Sequence, residues 1–263
     1  MSKFVTTQAQ LEELVAELAG SSMLAIDTEF MREKTYYAKL CLLQLNNGTV
    51  SALVDPLAVH DLSPLVPILT DENCVKIFHA GTQDIAILHH ETGVTPFPVF
   101  DTQVAASLLG YPLQVGYGPL VRSVCDVKLA KADSYTDWSK RPLTNSQIKY
   151  ALDDVVYLPS VYEHLRDELV AKGRLTWCER DFAALADPAS YDVDPRETWR
   201  RVKRISSLSR GQLAVAREVA AWRETEAQRR NLPRKWVLPD EAVVEIARKT
   251  PKTREALFEV RGL

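Results

Sequence analysis

The sequence predicts an α/β protein with a mixed sheet and flanking helices, followed by a small all-α domain. Three observations carry the prediction. Short apolar runs alternate with stretches of helical spacing through roughly the first 170 residues. Two of those runs, 39–45 and 49–54, are joined by the turn signal Asn46-Asn47-Gly48, so the sheet starts antiparallel before strand–helix units continue it. Charge is split along the chain: from Arg200 onward there are 16 Lys and Arg against 8 Asp and Glu, a segment of +8, whereas the residues before it sum to −11. Asp187-Pro188 and Asp194-Pro195 mark a linker between the two regimes. The expected division is a domain over 1–172, a linker over 173–198 and a helical domain over 199–263.

The elements follow in order. Thr7 opens a Thr-x-x-Gln capping box, and Leu11, Leu14, Val15 and Leu18 recur at helical spacing until Gly20. Met23 to Phe30 reads as a strand ending in acids, and 39–45 and 49–54 as the second and third strands. A short helix over 64–70 starts at Ser63-Pro64. Val75 to Phe78 is a fourth strand, followed by His79-Ala80-Gly81, a helix from Thr82 to about His90, and another from Asp101 to Leu109. Residues 112–142 read as irregular. Thr144 opens a second capping box and a long helix from Asn145 towards Leu169, interrupted at Pro159. In the last domain, Leu213, Val215, Ala216, Val219 and Trp222 form the expected apolar face of the main helix.

The totals narrow the class. With 263 residues, 46% hydrophobic and 25% charged, the chain has the composition of a globular protein with one or two cores. No apolar run approaches the roughly 20 residues of a membrane span. The N-terminus lacks the basic-then-apolar pattern of a secretory signal. Cys41, Cys74, Cys125 and Cys178 are scattered without metal or redox spacing, so reduced thiols and a cytoplasmic location are expected.

The chemistry starts at Asp27 and Glu29. On a strand of period two they share one face, and two carboxylates about 5 Å apart at an effective dielectric of 20 repel by roughly 3 kcal/mol. A divalent cation such as Mg²⁺ removes that cost. Asp84 lies in the first turn of the helix after Gly81, where an acid also suits the helix dipole. Tyr150 and Asp154 are one helical turn apart on one face, with Asp153 rotated towards solvent. Together these supply four acids and a tyrosine.

Asp-x-Glu on a strand, a middle Asp on a helix and Tyr-x-x-x-Asp on a late helix resemble the DEDDy branch of 3′→5′ exonucleases. More narrowly, residues 27–36, Phe78-His79-Ala80 with Asp84, residues 137–143, and Tyr150-Ala151 with Asp154-Val155 resemble the ribonuclease D family, in order, from about Phe4 to Leu169. Leu213 to Arg223, Pro233-Arg234 and residues 237–242 resemble the helicase-and-RNase-D C-terminal (HRDC) domain, a family associated with nucleic-acid binding. Such a domain usually continues past Arg261-Gly262-Leu263, so the expected HRDC-like domain is incomplete at its C-terminus.

The resemblance implies a ribonuclease-H-like fold and an exoribonuclease that trims RNA 3′ ends, with tRNA precursors the family's usual substrate and 5′-mononucleotides the product. It implies that Asp27, Glu29, Asp84 and Asp154 hold two divalent ions, Mg²⁺ or Mn²⁺, with Asp27 bridging them. A phenol titrates near 10, so Tyr150 is expected to orient the attacking water rather than deprotonate it. Candidate substrate contacts are the backbone of Thr28, Phe30 stacking on a terminal base, Arg32 on a phosphate, and Trp138 and Arg141 bordering the cleft. His79 is expected to be structural. Two other readings stay open: a proofreading or repair type 3′→5′ DNA exonuclease, because the metal chemistry does not select the sugar, and a catalytically silent nucleic-acid-binding protein.

Overall fold

The computed structural model describes residues 2–130, 136–260 and 262. Met1, residues 131–135 (part of the stretch read as irregular), Arg261 and Leu263 lie outside the described residues. Two compact units are present: the first comprises Met1–Met31 and Lys39–Tyr191, the second Arg32–Ala38 and Asp192–Leu263.

The first unit is a six-stranded sheet in the order β1-β4-β3-β2-β5-β6, from β1 (Ser2–Val5), β2 (Met23–Met31), β3 (Lys39–Asn46), β4 (Ser51–Val54), β5 (Val75–Phe78) and β6 (Val99–Asp101). β2, β3 and β4 form an antiparallel meander; β1 pairs parallel to β4, and β5 runs parallel to both β2 and β6. The mixed sheet agrees with expectation. β1 and β6 are additions, each only three or four residues long. The helix expected from Asp101 starts at Thr102, because Asp101 ends β6 and its side chain caps the helix by accepting from the N–H groups of Gln103 and Val104.

The helices of this unit are α1 (Gln8–Leu18), α2 (Val66–Leu69), α3 (Thr82–Thr92), α4 (Thr102–Leu108), α5 (Tyr117–Cys125), α6 (Asn145–Val156), α7 (Leu158–Ala171) and α8 (Glu179–Ala186). Both expected capping boxes form, at Thr7 and Thr144, each contributing about 1 kcal/mol. α1 buries Leu11, Leu14 and Leu18 completely, each stabilising by roughly 1.5–3 kcal/mol. α5 occupies part of the stretch read as irregular. The long helix breaks at Tyr157, two residues before Pro159, so that Pro159 sits in the first turn of α7 where its missing N–H costs nothing. Residues 173–191, expected as linker, belong to this unit: Cys178 is fully buried in its core, and Phe182 packs on Phe100 with ring centroids 4.9 Å apart.

The second unit contains a 3₁₀ segment (Pro195–Arg201), α9 (Arg210–Arg230), α10 (Arg234–Val237), α11 (Asp240–Lys249) and α12 (Arg254–Phe258). Its core gathers Val202, Ala216, Ala220, Leu238, Val243 and Ala247. Of the apolar face expected for α9, Leu213, Val215, Ala216 and Val219 pack in this core, and Trp222, 56% exposed, is the one departure; Ala220, Arg223, Glu224 and Ala227 are also buried on the helix. The fully buried Glu224 carboxylate accepts from Arg234 (Nη2 at 2.7 Å) and from the Tyr36 hydroxyl, while Asn231 Oδ1 accepts from the N–H groups of Tyr36 and Tyr37 at 3.1 and 3.0 Å. These bonds make residues 32–38 part of the helical unit. All four cysteines are free, and among the described residues no helix is long and apolar enough to cross a membrane.

Candidate active site

β2 places the first two acids. Ala25 packs into the core formed by α4, α5 and α7, and by alternation Asp27 and Glu29 continue that face while Thr28 points to the other. β5 pairs with β2 only as far as Ala25, so the strand runs on past its parallel neighbour with β3 as its sole partner. Strand order reverses between β2 and β5, and the carboxyl ends of parallel strands at such a switch point form a crevice. The register with β3 shifts between Glu29 and Phe30, a bulge that re-aims the chain just beyond the second acid.

The turn after β5 delivers Asp84. The buried Asp101 carboxylate accepts from the N–H groups of Ala80 and Gly81 at 3.2 and 2.8 Å, as well as from the start of α4, and so ties the turn to β6. A Cβ at Gly81 would lie 2.4 Å from Phe78 Cβ, so only glycine admits this approach. Asp84 then falls in the first turn of α3, and its Oδ1 accepts from the Thr28 hydroxyl reaching from the far face of β2. His79 is part-buried and lines the recess beside the turn, with Nδ1 2.9 Å from Thr102 Oγ1 and Nε2 3.0 Å from the Val115 carbonyl; desolvation pushes its pKa down. A neutral ring donates from Nε2 to the Val115 carbonyl, while the Thr102 hydroxyl faces both Nδ1 and the Phe78 carbonyl, to which it donates at 3.0 Å.

α6 supplies the remaining groups. Tyr150 and Asp154 share a face one helical turn apart, and both line the recess. Asp153 turns away, its carboxylate paired with Lys149 at 2.5 Å. Behind Tyr150 stands Trp138, ring centroids 6.0 Å apart, packed among Cys41, Leu42, Leu53, Leu143 and Ala151.

One oxygen each from Asp27, Glu29 and Asp154 lies within 4.8 Å of the others, close enough to hold a single cation. Asp84 lines the same recess of ≈ 290 Å³ but stands outside this group of three, held back by Thr28. Burial and mutual repulsion favour the protonated acids. Asp27 is raised well above the ordinary range by burial and then by Asp84, Asp154 and Glu29. Burial followed by Asp154 and Asp84 takes Glu29 to about 8, and burial foremost takes Asp154 to about 7 and Asp84 to about 6. An all-oxygen, all-acid donor set whose charges are this costly to keep is suited to a hard divalent cation.

The structure thus brings together Asp27, Thr28, Glu29, Phe30, Asp84, Tyr150 and Asp154 in one recess. Two expected substrate contacts are corrected. Trp138 is 2% exposed, so its ring supports Tyr150 from behind instead of bordering the cleft. Arg141 grips the buried Asp55 through Nε and Nη2 at 2.6 and 2.7 Å and the carbonyls of Cys41, Trp138 and Lys140, leaving its fork committed to the scaffold. Arg32 is exposed and falls in the helical unit's segment 32–38. Two residues were not singled out from the sequence. Gln83 lines the recess, and so does Tyr117, whose hydroxyl donates to the Asp153 carbonyl at 3.1 Å and whose pKa is raised by burial and by Asp154 and Asp27. The only local hint of Tyr117 was Gly116 before a Tyr-x-x-Leu-Val run within the stretch read as irregular.

Comparison with known proteins agrees with this geometry. The 3′-5′ exonuclease family matches residues 2–170 and the HRDC domain family residues 212–263. A ribonuclease D of Sphingobium indicum is 44% identical, over 98% of this chain and 67% of that protein. The crystal structure of Escherichia coli RNase D, described as an exoribonuclease involved in structured RNA processing, superposes with a TM-score of 0.91 at 34% identity, covering 100% of this chain and 70% of that one. Brucella melitensis NrnC with bound Mg²⁺ superposes with a TM-score of 0.60 at 26% identity, over 75% of this chain and 94% of that one. The chain spans about two thirds of the length of the curated relatives it matches. It belongs to the ribonuclease D family of 3′→5′ exoribonucleases.

Proposed function

We propose that this chain removes nucleotides one at a time from RNA 3′ ends, those of tRNA precursors foremost, and releases 5′-mononucleotides with the help of two divalent ions, Mg²⁺ or Mn²⁺. The observation that carries the reading is the convergence of Asp27, Glu29 and Asp154 within 4.8 Å, with Asp84 and Tyr150 in the same recess. Asp27, Glu29, Asp84 and Asp154 would hold the ions. Bound there, the ions supply positive charge that makes water acidic enough to attack near neutral pH and that meets the charge developing on the leaving oxygen.

In the reaction, water oxygen bonds to the terminal phosphorus and the bond from phosphorus to the 3′-oxygen of the penultimate nucleotide breaks. A phenol, titrating near 10 in water, is a poor base near neutral pH, and without metal the burial of Tyr150 and the charges of Asp154, Glu29 and Asp27 push its pKa further up. Its hydroxyl, beside Asp154 in the recess and with the ring backed by Trp138, orients the attacking water. Phe30 presents its ring to the terminal base at the rim of the recess. The Thr28 hydroxyl is occupied by Asp84, so only the backbone of Thr28 is left for the nucleotide.

The test uses RNA and DNA oligonucleotides and a tRNA precursor, all 3′-labelled, with Mg²⁺ or with EDTA, beside Asp27→Ala. Metal-dependent loss of label from the RNAs, absent in the variant, is expected. Loss from DNA with the RNAs intact would turn the reading to a DNA exonuclease, and no loss from any substrate would leave only nucleic-acid binding.

A further inference from the structure

A buried amide without a partner stands beside the acid cluster. Gln44 on β3 is completely buried, yet neither its Oε1 nor its Nε2 has a hydrogen-bond partner among the described residues. It is the one described side chain with two buried polar atoms in that condition. Burying an amide without hydrogen bonds destabilises the fold, and the great majority of buried polar side-chain atoms are paired. A residue that breaks this rule next to a functional site is a candidate for a role in that site.

The sheet register fixes what the amide faces. Gln44 lies directly opposite Asp27 on β2 and opposite Leu53 on β4. Directly opposed residues share a face with Cβ atoms about 4.5–5.5 Å apart, so Gln44 stands on the face that carries Asp27. Its neighbours on that face of β3 are already engaged. Leu42 packs with Trp138 and Ala151, and Asn46 donates from Nδ2 to the Val155 carbonyl of α6 at 3.3 Å. Glu29 is diagonal to Gln44, about 7–8 Å away by strand geometry. Asp55, two residues beyond Leu53, has both oxygens on Arg141. Asp27 is therefore the nearest carboxylate that the register offers to the amide.

We propose that Gln44 is a positioning residue for the metal centre: with cations bound, its Nε2–H donates to the Asp27 carboxylate and fixes which way that carboxylate turns. The proposal rests on the metal-binding reading given above. Gln44 does not line the recess, so it acts through Asp27 and not on the nucleotide. A hydrogen bond to an ionised oxygen is among the strong ones, and such outer partners of a ligand set metal affinity by about 10–100-fold. In the metal-free chain the same amide only destabilises the fold.

Gln44→Met keeps the length of the side chain and removes its amide. Two measurements on the full chain test the role: melting in EDTA, and calorimetric titration with Mn²⁺ in the absence of substrate. The variant is expected to melt at least about 2 °C above the wild type in EDTA and to bind Mn²⁺ at least about tenfold more weakly. A chain that gains stability while losing its ion separates positioning from a merely structural role. Leu45→Met, next in sequence but on the opposite face of β3, is expected to leave Mn²⁺ affinity unchanged. Asp27→Ala marks the loss expected when a ligand itself is removed. If Asp27→Ala loses Mn²⁺ and Gln44→Met does not, this proposal falls and the metal reading stands. A Gln44→Met chain that melts below the wild type in EDTA would make the amide part of the fold and overturn the proposal too. Equal Mn²⁺ affinity in Asp27→Ala and the wild type would overturn the metal reading, and this proposal with it.

Discussion

Replacing Asp27 by Asn removes one charge from the acid cluster while keeping the shape of the side chain. Oxygens of Asp27, Glu29 and Asp154 lie within 4.8 Å of one another, and at an effective dielectric of 20 a fully ionised pair at that distance repels by about 3 kcal/mol. The repulsion is fully present only when the acids are ionised. Glu29 is raised to about 8 and Asp154 to about 7, with Asp27 also well above its ordinary value, so in the metal-free protein much of the cluster is protonated at pH 6, where the same acids in the unfolded chain are ionised. The sign follows from proton binding. Between pH 4.5 and 8 the folded, metal-free state holds protons that the unfolded chain has released, so its stability falls as pH rises.

Asp27→Asn should therefore barely change the melting temperature near pH 4 in EDTA, where the acid is largely protonated in both folded and unfolded states. At pH 9 it should raise it by several degrees, taking about 2–4 °C per kcal/mol for a chain of this size. Mg²⁺ should stabilise the wild type, increasingly so at higher pH, because the ion displaces protons. The variant should lose most of that response and all turnover. Differential scanning calorimetry at the two pH values, with and without Mg²⁺, reads all of these. A variant that melts lower than wild type at pH 9 in EDTA, or that keeps the full Mg²⁺ shift, would refute the electrostatic reasoning.

Three further substitutions probe the supporting structure. Tyr150→Phe should lower turnover roughly 10²-fold while leaving Mn²⁺ affinity by calorimetric titration nearly intact; near wild-type rates would remove the water-orienting role. Gly81→Ala drives a Cβ to within 2.4 Å of Phe78 Cβ, and should cost about 1–3 kcal/mol and depress turnover, since Asp84 follows three residues later. Arg141→Ala breaks the pair with Asp55 and should cost about 3 kcal/mol by thermal melting. Its KM for RNA should stay unchanged at temperatures where it is folded, whereas a rise in KM would restore Arg141 to the cleft.

The site was legible where it is written locally. Asp27 and Glu29 follow from period two on a strand, Tyr150 and Asp154 from one helical turn, and Asp84 from its place at a helix start. What sequence concealed is non-local. Trp138 and Arg141 in a proline-bearing loop look like a cleft rim, yet one fills a core against Tyr150 and the other anchors Asp55, 86 residues earlier in the chain. The Thr28–Asp84 bond joins residues 56 apart across the sheet. β6 was hidden because its last residue, Asp101, also carries the strongest local helix-start signal, and one side chain serves both elements. Residues 32–38 joined the helical unit through Tyr36 and Glu224, a partnership that no spacing announces.

The central claim is that the four carboxylates form one metal centre, and anomalous diffraction from crystals soaked in Mn²⁺ tests it most directly. Two peaks about 3.5–4 Å apart, contacted by Asp27, Glu29, Asp84 and Asp154, are predicted. An empty recess at saturating Mn²⁺, or peaks only elsewhere on the chain, would contradict the account.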